Sequence, residues 1–474
     1  MATNVFADMT DLERALDGVM VIKGDEPLVE DASALRESLI DCLVYSAVFG
    51  DADVKEVSRW LIRRVAPAVG VYPSSIHDLY MAAGQGAYSN ATAPAINVRT
   101  LTYDVARTIL RAARATDNKI VLFEIARSEM GYTDQRPAEY AVNVLAAAIK
   151  EGHQGPVFIQ GDHFQANAKN YAADGEREIQ GVRDLVAEAI VAGFYNIDID
   201  ASTLVDLSRP TLAEQQQTNY ERTAELTRFI REHEPEGVTV SIGGEIGEVG
   251  SRNSTVEELQ AFMGGYRPEL DRLSGEAGQT LAGISKISVQ TGTTHGGVPL
   301  PDGTVAEVNV DFDTLARLSQ AARDEYGLGG AVQHGASTLP EEAFGRFAEA
   351  NAIEVHLATA FQNLIYESAF FPEQLKAEIY AYLAANHAGE RKADQTDAQF
   401  YYTTRKRGFG PFKRQLWDLP EETRAGIMGD LQPTFELIMR KLGVAGSASL
   451  VDHSIKPVDV PVQAPDALRS VSAG

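Results

Sequence analysis

Sulfhydryl chemistry is almost absent: Cys42 is the single cysteine, which excludes an intrachain disulfide and any metal site built on thiolates alone. Positive charge is scarce too. Against 67 Asp and Glu there are only 42 Lys and Arg, a formal charge of −25, and such a surface is unsuited to nucleic-acid phosphates. Long apolar runs are missing, so no membrane span is expected. The opening MATNVFADMTDLERAL has no basic stretch leading into an apolar run, so a secretory signal is not expected and a cytoplasmic location is. What is present is core material. Hydrophobic residues make up 44% of 474, and the charged fraction of 23% sits near the globular norm.

The chain divides by pattern. Residues 1–90 read as a helical N-terminal block, with apolar residues at three- and four-residue steps in ALRESLIDCLVYSAVF, VKEVSRWLIRRVAPAV and SSIHDLYMAAGQG. From 91 to 370, short apolar runs alternate with helical ones. The expected strands are Ala95–Val98, Ile120–Ile125, Val157–Gln160, Asn196–Ile199, Val238–Ile242, Ile284–Val289, Gly330–Gln333 and Ile353–Leu357. Eight strand–helix units over about 280 residues predict a closed (β/α)8 TIM barrel in the α/β class, although an open doubly wound sheet gives a similar string. Residues 371–446 read as a helical C-terminal segment. It is interrupted by the one strongly basic stretch, YYTTRKRGFGPFKRQLW, whose Arg405–Arg414 part is either a second phosphate contact or a surface patch. Residues 447–474 form a mobile or draped tail.

Catalytic residues of such barrels lie where strands run into the following loops. There the sequence places Asp162-His163, then Asp198, Asp200 and Ser202, then Gly243-Gly244-Glu245 with Glu248 shortly after. Thr294-His295-Gly296 and His334-Gly335-Ala336-Ser337 follow. Three of the nine histidines therefore stand at strand ends, two of them followed by glycine. Imidazole nitrogens suit Zn²⁺, and three protein ligands with an open position are the catalytic arrangement. Co²⁺, Mn²⁺ and Fe²⁺ accept the same donors.

At these residues the chain resembles the class II (metal-dependent) fructose-bisphosphate aldolase family. Ala95-Ile96-Asn97-Val98 is similar to its first strand, Asp162-His163 to its Asp-His pair, and Glu245-Ile246-Gly247 to its Glu-Leu-Gly element. The motifs at His295 and His334 resemble its two remaining zinc-histidine motifs, with Asp311-Phe312-Asp313 between them. The resemblance implies His163, His295, His334 and Glu245 as metal ligands and Asp162 as the acid–base group for the reacting hydroxyl. Glu248 is then the candidate for the second proton transfer. Asn97, Gly296, Gly335, Ser337, His356 and Thr359 would hold a phosphorylated ketose, by default fructose 1,6-bisphosphate. A homodimer or homotetramer is also implied.

Four departures bear on the substrate. The family's eighth strand reads Asn-x-Asp-Thr-Asp, whereas His356, Leu357, Ala358, Thr359 and Ala360 stand here. The lysine after the sixth-strand histidine is replaced by Gly297-Val298-Pro299-Leu300, the loop after Glu245 is short, and both terminal blocks are additions. Tagatose 1,6-bisphosphate or another ketose phosphate therefore stays open, as does a non-catalytic subunit that stabilises a partner aldolase. A metal-dependent epimerase or hydrolase ranks lower, because no His-x-His pair is found on an early strand and no adequate acid pair outside the aldolase motifs.

Overall fold

The computed structural model describes residues 5–247, 252–292, 300 and 309–469. Eight strands form a closed, parallel barrel: β1 (Ala93–Asn97), β2 (Leu122–Ala126), β3 (Gly155–Gln165), β4 (Asn196–Asp200), β5 (Ser241–Glu245), β6 (Lys286–Val289), β7 (Ala331–Gln333) and β8 (Glu354–Leu357). Each pairs with the next, and β8 returns to β1 with His356 opposite Ala95. Parallel strands buried on both faces read as nearly unbroken apolar runs, which is why the eight stretches are recognisable in the sequence.

All eight strands fall on the expected stretches with shifted ends, and two differ most. The third continues through Gly161-Asp162-His163 to Gln165, with its register against β4 shifting between Gly161 and Phe164. The fifth begins three residues later than expected and runs through Gly243-Gly244 to Glu245. In both cases glycine inside a strand imitates a turn.

Helices return the chain between strands. Leu212–His233 and Val256–Ala277 each open on a capping box, Thr211 with Glu214 and Thr255 with Glu258, which satisfies the first free amides of the helix. At the N-terminal block, Ile40–Phe49 and Ala52–Ala68 pack beside the barrel helix Pro137–Lys150, tied to it by Lys150 Nζ on Asp41 at 2.5 Å. An antiparallel hairpin, Met20–Lys23 with Glu26–Val29, precedes them.

The N-terminal end of the barrel is closed from below. Asn196, at the start of β4, accepts the Ile76 amide at 2.8 Å and donates to the Ser74 carbonyl at 3.1 Å. The helix His77–Gly84 that follows carries a fully buried Tyr80, whose hydroxyl donates to Glu354 at 2.5 Å. The opposite end stays open. Over one side of the barrel, helix Glu421–Lys441 packs on Thr102–Ala115 and Thr359–Glu367, and Arg424 donates to Asp104 at 2.8 Å. Beyond it the chain drapes back, with Trp60 Nε1 donating to the Val462 carbonyl at 3.2 Å and Arg64 paired with Asp459 at 3.1 Å. Among the described residues no helix is long and apolar enough to cross a membrane.

Candidate active site

Side chains two apart on a strand share a face, and at the open end of the barrel the inward positions are polar. Asp198 and Asp200 come from β4, Glu354 and His356 from β8, Gln160 from β3, Glu124 from β2 and Glu245 from β5. Asp162 and His163 are adjacent and should point to opposite faces, yet both line one cavity. The register shift supplies the reason, because an irregularity in the ladder re-aims side chains. His163 takes φ 42°, in the left-handed region. Gly161 makes room for the turn: a Cβ there would meet the Phe164 ring at 2.4 Å.

The cavity, of about 660 Å³, opens at the C-terminal ends of the strands. At its floor Asp162 Oδ1 lies 3.7 Å from His163 Nε2, 3.6 Å from His334 Nε2 and 3.2 Å from His356 Nδ1. The His163 and His334 rings are 4.3 Å apart, centre to centre. His163 Nδ1 meets Asp200 at 3.2 Å, and Glu245 comes within 3.9 Å of His334 Nδ1. Asp200 is itself held by Ser202, whose hydroxyl donates at 2.7 Å, and by Gln165.

These contacts set the charges. Burial alone would raise the Asp162 pKa, but His163 and His356 beside it, with hydrogen bonds from His334 and His356, carry it well below the carboxylate range. Burial would lower His163, and Asp162, Asp200 and Glu245 instead raise it well above the imidazole value. For His334, burial and the neighbouring His356 and His163 act together and keep it neutral.

The arrangement therefore places a demand for positive charge among Asp162, Asp200 and Glu245. The donors there fit a divalent cation. Asp162, His163 and His334 each offer one ligand atom within 4.8 Å of the others, as do His163, Asp200 and Glu245. Two deeper groups, Glu124–Glu354–His356 and Asp162–Asp198–His356, also satisfy that distance. They already have their cation: Lys286 Nζ sits 2.6 Å from Glu354 and 2.9 Å from Asp198.

The outer wall has a different character. Glu129 pairs with Arg99 at 2.7 Å and accepts from the Asn97 amide at 2.6 Å and the Ala126 N–H at 2.9 Å. Arg127 pairs with Glu178 at 2.6 Å. Lys406, from the short turn Arg405–Gly408, completes this wall.

Of the residues singled out in the sequence, Asp162, His163, His334, Gly335, Ser337, His356, Thr359 and Asn97 line this one cavity, and Glu245 stands beside His334. Ser337 Oγ accepts the Ala360 amide at 3.2 Å, joining the loop after β7 to the start of helix Thr359–Glu367. His356 is a hub of ion pairs, with Nδ1 2.9 Å from Glu124 and Nε2 2.6 Å from Glu354. Glu248, His295 and Gly296 lie outside the described residues. Carboxylates beyond those of the aldolase motifs also gather here. Asp200 joins Glu245 around His163, and Glu124 and Glu354 flank His356. Their signal in the sequence is a lone charge inside an apolar strand, as in Leu-Phe-Glu-Ile and Ile-Glu-Val, where only a buried partner makes the residue tolerable. Of the basic stretch, Arg405 is buried against Asn363 and Glu367, and Lys413 pairs with Glu139 at 2.7 Å.

A parallel (β/α)8 barrel with a histidine–carboxylate cluster at the open ends of its strands defines the class. The sequence model described as Fructose-bisphosphate aldolase class-II matches residues 75–404, and the chain belongs to that family. No curated protein matches the sequence. Among solved structures, a probable tagatose 6 phosphate kinase from Sinorhizobium meliloti 1021 superposes with a TM-score of 0.52 at 18% identity, over 81% of this chain and 97% of that one. A fructuronate-tagaturonate epimerase from Cohnella laeviribosi gives 0.52 at 13% identity, over 91% of this chain and 90% of that one. At these identities the likeness is one of fold.

Proposed function

We propose that the chain catalyses metal-dependent, reversible aldol cleavage of a phosphorylated ketose. Fructose 1,6-bisphosphate is the default substrate, giving dihydroxyacetone phosphate and glyceraldehyde 3-phosphate. The observation that carries this reading is the convergence of Asp162, His163 and His334 at the floor of one cavity. A divalent cation, Zn²⁺ by resemblance, held there by His163 and His334 with His295 and Glu245, would supply Lewis-acid polarisation of the ketose carbonyl and stabilise the enediolate.

The chain's own groups do the rest. Asp162 accepts the proton of the C4 hydroxyl as the C3–C4 bond breaks and its electron pair passes toward the C2 carbonyl. A second carboxylate, Glu248 by resemblance, returns a proton to C3. Gly335, Ser337 and the start of helix Thr359–Glu367 receive the phosphate nearest the carbonyl, Gly296 joining them by resemblance. Asn97 acts indirectly, since its amide spans Glu129 and Arg99.

The test is triose phosphate release from fructose 1,6-bisphosphate with and without a chelator, alongside metal analysis. Activity should vanish with the chelator, return with Zn²⁺, and be absent from His163→Ala together with bound metal. Bound metal without cleavage rejects this substrate and calls for tagatose 1,6-bisphosphate and other ketose phosphates. If those also fail and an aldolase copurifies, the chain is the stabilising subunit. No bound metal, with no activation by added metal, rejects the catalytic reading.

Epimerisation is a second reading, favoured by the carboxylates Asp200 and Glu245 on either side of His163 and His334. It requires the same proton removal beside a carbonyl without C–C cleavage. Solvent deuterium entering recovered ketose with no triose formed distinguishes it.

A further inference from the structure

Among the described residues, Lys406 is the one cation of the cavity wall with no counter-ion. Arg99 and Arg127 are each paired with a carboxylate, Glu129 and Glu178. Among the described residues, no carboxylate stands within ion-pair distance of the Lys406 ammonium and no acceptor within hydrogen-bonding distance, whereas its neighbours on the same turn are both paired, Arg405 with Glu367 and Arg407 with Glu390. The side chain is only partly exposed, and its ammonium lies 5.8 Å from the centre of the Tyr132 ring.

Burial, and then the Arg99 and Arg407 charges, lower the Lys406 pKa against the opposing pull of Glu129 and Glu390, so the ammonium is short of solvation rather than neutralised by a contact. Three cations against two carboxylates leave this wall with one uncompensated positive charge. The floor, by contrast, is crowded with carboxylates. A small, flexible, strongly hydrated ammonium left unpaired beside a cavity is suited to capturing an anion.

We propose that Lys406, supported by Arg99 and Arg127, seats an anionic group at the end of the substrate remote from the reacting carbonyl, so that ketoses charged at both ends are preferred. The proposal deepens the aldolase reading and rests on it for the orientation of the substrate. Lys406 lies just beyond residues 75–404, the stretch that matches the family. It is brought to the cavity from the C-terminal segment of the same chain, and the specificity it confers belongs to this chain's own addition. Phosphate and carboxylate would both satisfy the ammonium, and the experiment separates them.

Binding is measured calorimetrically on the metal-loaded protein, with no turnover needed. Three open-chain probes differ only in the far group: a hexitol 1,6-bisphosphate, 6-phosphogluconate and a hexitol 6-phosphate. The parent should bind one or both doubly charged probes at least tenfold more tightly than the hexitol 6-phosphate, and the stronger of the two names the anion. Lys406→Met should weaken that probe about 10- to 100-fold, the range for a lost charge-assisted hydrogen bond, and leave the hexitol 6-phosphate unchanged. Lys406→Arg should keep most of the preference. An equal loss for all three probes in Lys406→Met, or no loss for any, overturns the proposal. If the preference follows Lys406 but no ketose is cleaved, the seat stands and the aldol reaction falls. If cleavage occurs and Lys406→Met changes neither binding nor KM for the doubly charged ketose, the reaction stands and the seat falls.

Discussion

Replacing Lys286 by methionine should cost the protein more than any surface change, and the barrel interior gives the size of the loss. Lys286 is fully buried and donates to Gln160 at 2.8 Å and Glu354 at 2.6 Å, with Asp198 at 2.9 Å. Burial opposes its charge, but Asp198 and Glu354 overcome that and raise its pKa. Methionine matches the volume and removes the cation, leaving Glu354 and Asp198 facing each other without water. Breaking one side of a buried pair costs about 3–5 kcal/mol. With an unfolding entropy of about 2.1 cal/mol/K per residue, a chain of this length loses about 1 °C per kcal/mol, so the melting temperature should fall by about 3–5 °C. The decisive comparison is a double-mutant cycle in differential scanning calorimetry. Glu354→Gln added to Lys286→Met removes the stranded charge and should recover about half of the loss, a coupling of about 1–3 kcal/mol. A Lys286→Met protein that melts within about 1 °C of the parent, or a double variant whose losses simply add, refutes the ionised network.

His77 predicts a pH effect remote from the site. Burial and then Arg231 lower its pKa to about 4, so the unfolded chain takes up the proton first on acidification. The stabilisation is complete above about pH 6.5 and lost as pH falls toward 4; His77→Gln should flatten this by on the order of 2 kcal/mol in urea titrations at pH 7 and 4.5. Glu129→Gln should move two readouts in opposite directions. It strands Arg99 and lowers stability by about 2–3 kcal/mol in thermal melts, while calorimetry with inorganic phosphate should show tighter binding. Gly161→Ala drives a Cβ into the buried Phe164 ring. It should destabilise by about 1–3 kcal/mol and lower metal content by displacing Asp162 and His163, both read from one preparation by melting and elemental analysis.

The eight strands are legible because parallel strands covered on both faces leave little room for polar residues. The places where the reading slips are informative. Gly161 and Gly243-Gly244 look like turns, yet each lies inside a strand because a neighbouring side chain needs its space. A Cβ on Gly243 would meet Asp198 at 2.3 Å and the Lys286 stem at 3.0 Å. The histidine motifs were readable as local patterns: two short segments place His163 and His334, and the cavity unites them. The interior network was not readable. Glu124, Gln160, Lys286 and Glu354 come from four strands, and each has its partner far away in the sequence. Lys406 was hidden differently. Five basic residues between 405 and 414 look alike, and only folding shows that four have a carboxylate partner and that Lys406 has none among the described residues.

In most barrels of this kind the interior beneath the site is filled with layers of branched apolar side chains. Here a polar column takes their place. The hydroxyl of Tyr80, on the helix that closes the lower end, donates to Glu354. Glu354 meets His356 Nε2 at 2.6 Å, and His356 Nδ1 reaches Asp162 at 3.2 Å. A buried network of this sort is a weak source of stability compared with apolar packing of the same volume. What it supplies is direction, since each carboxylate and imidazole has few places to point. That accounts for the eighth-strand substitutions without disturbing the metal-site candidates: His356 stands where the family has an amide and is held from below by Glu354 and from the side by Glu124. Asp162, the group proposed to move a proton, is thereby oriented by the barrel floor as well as by the two histidines beside it.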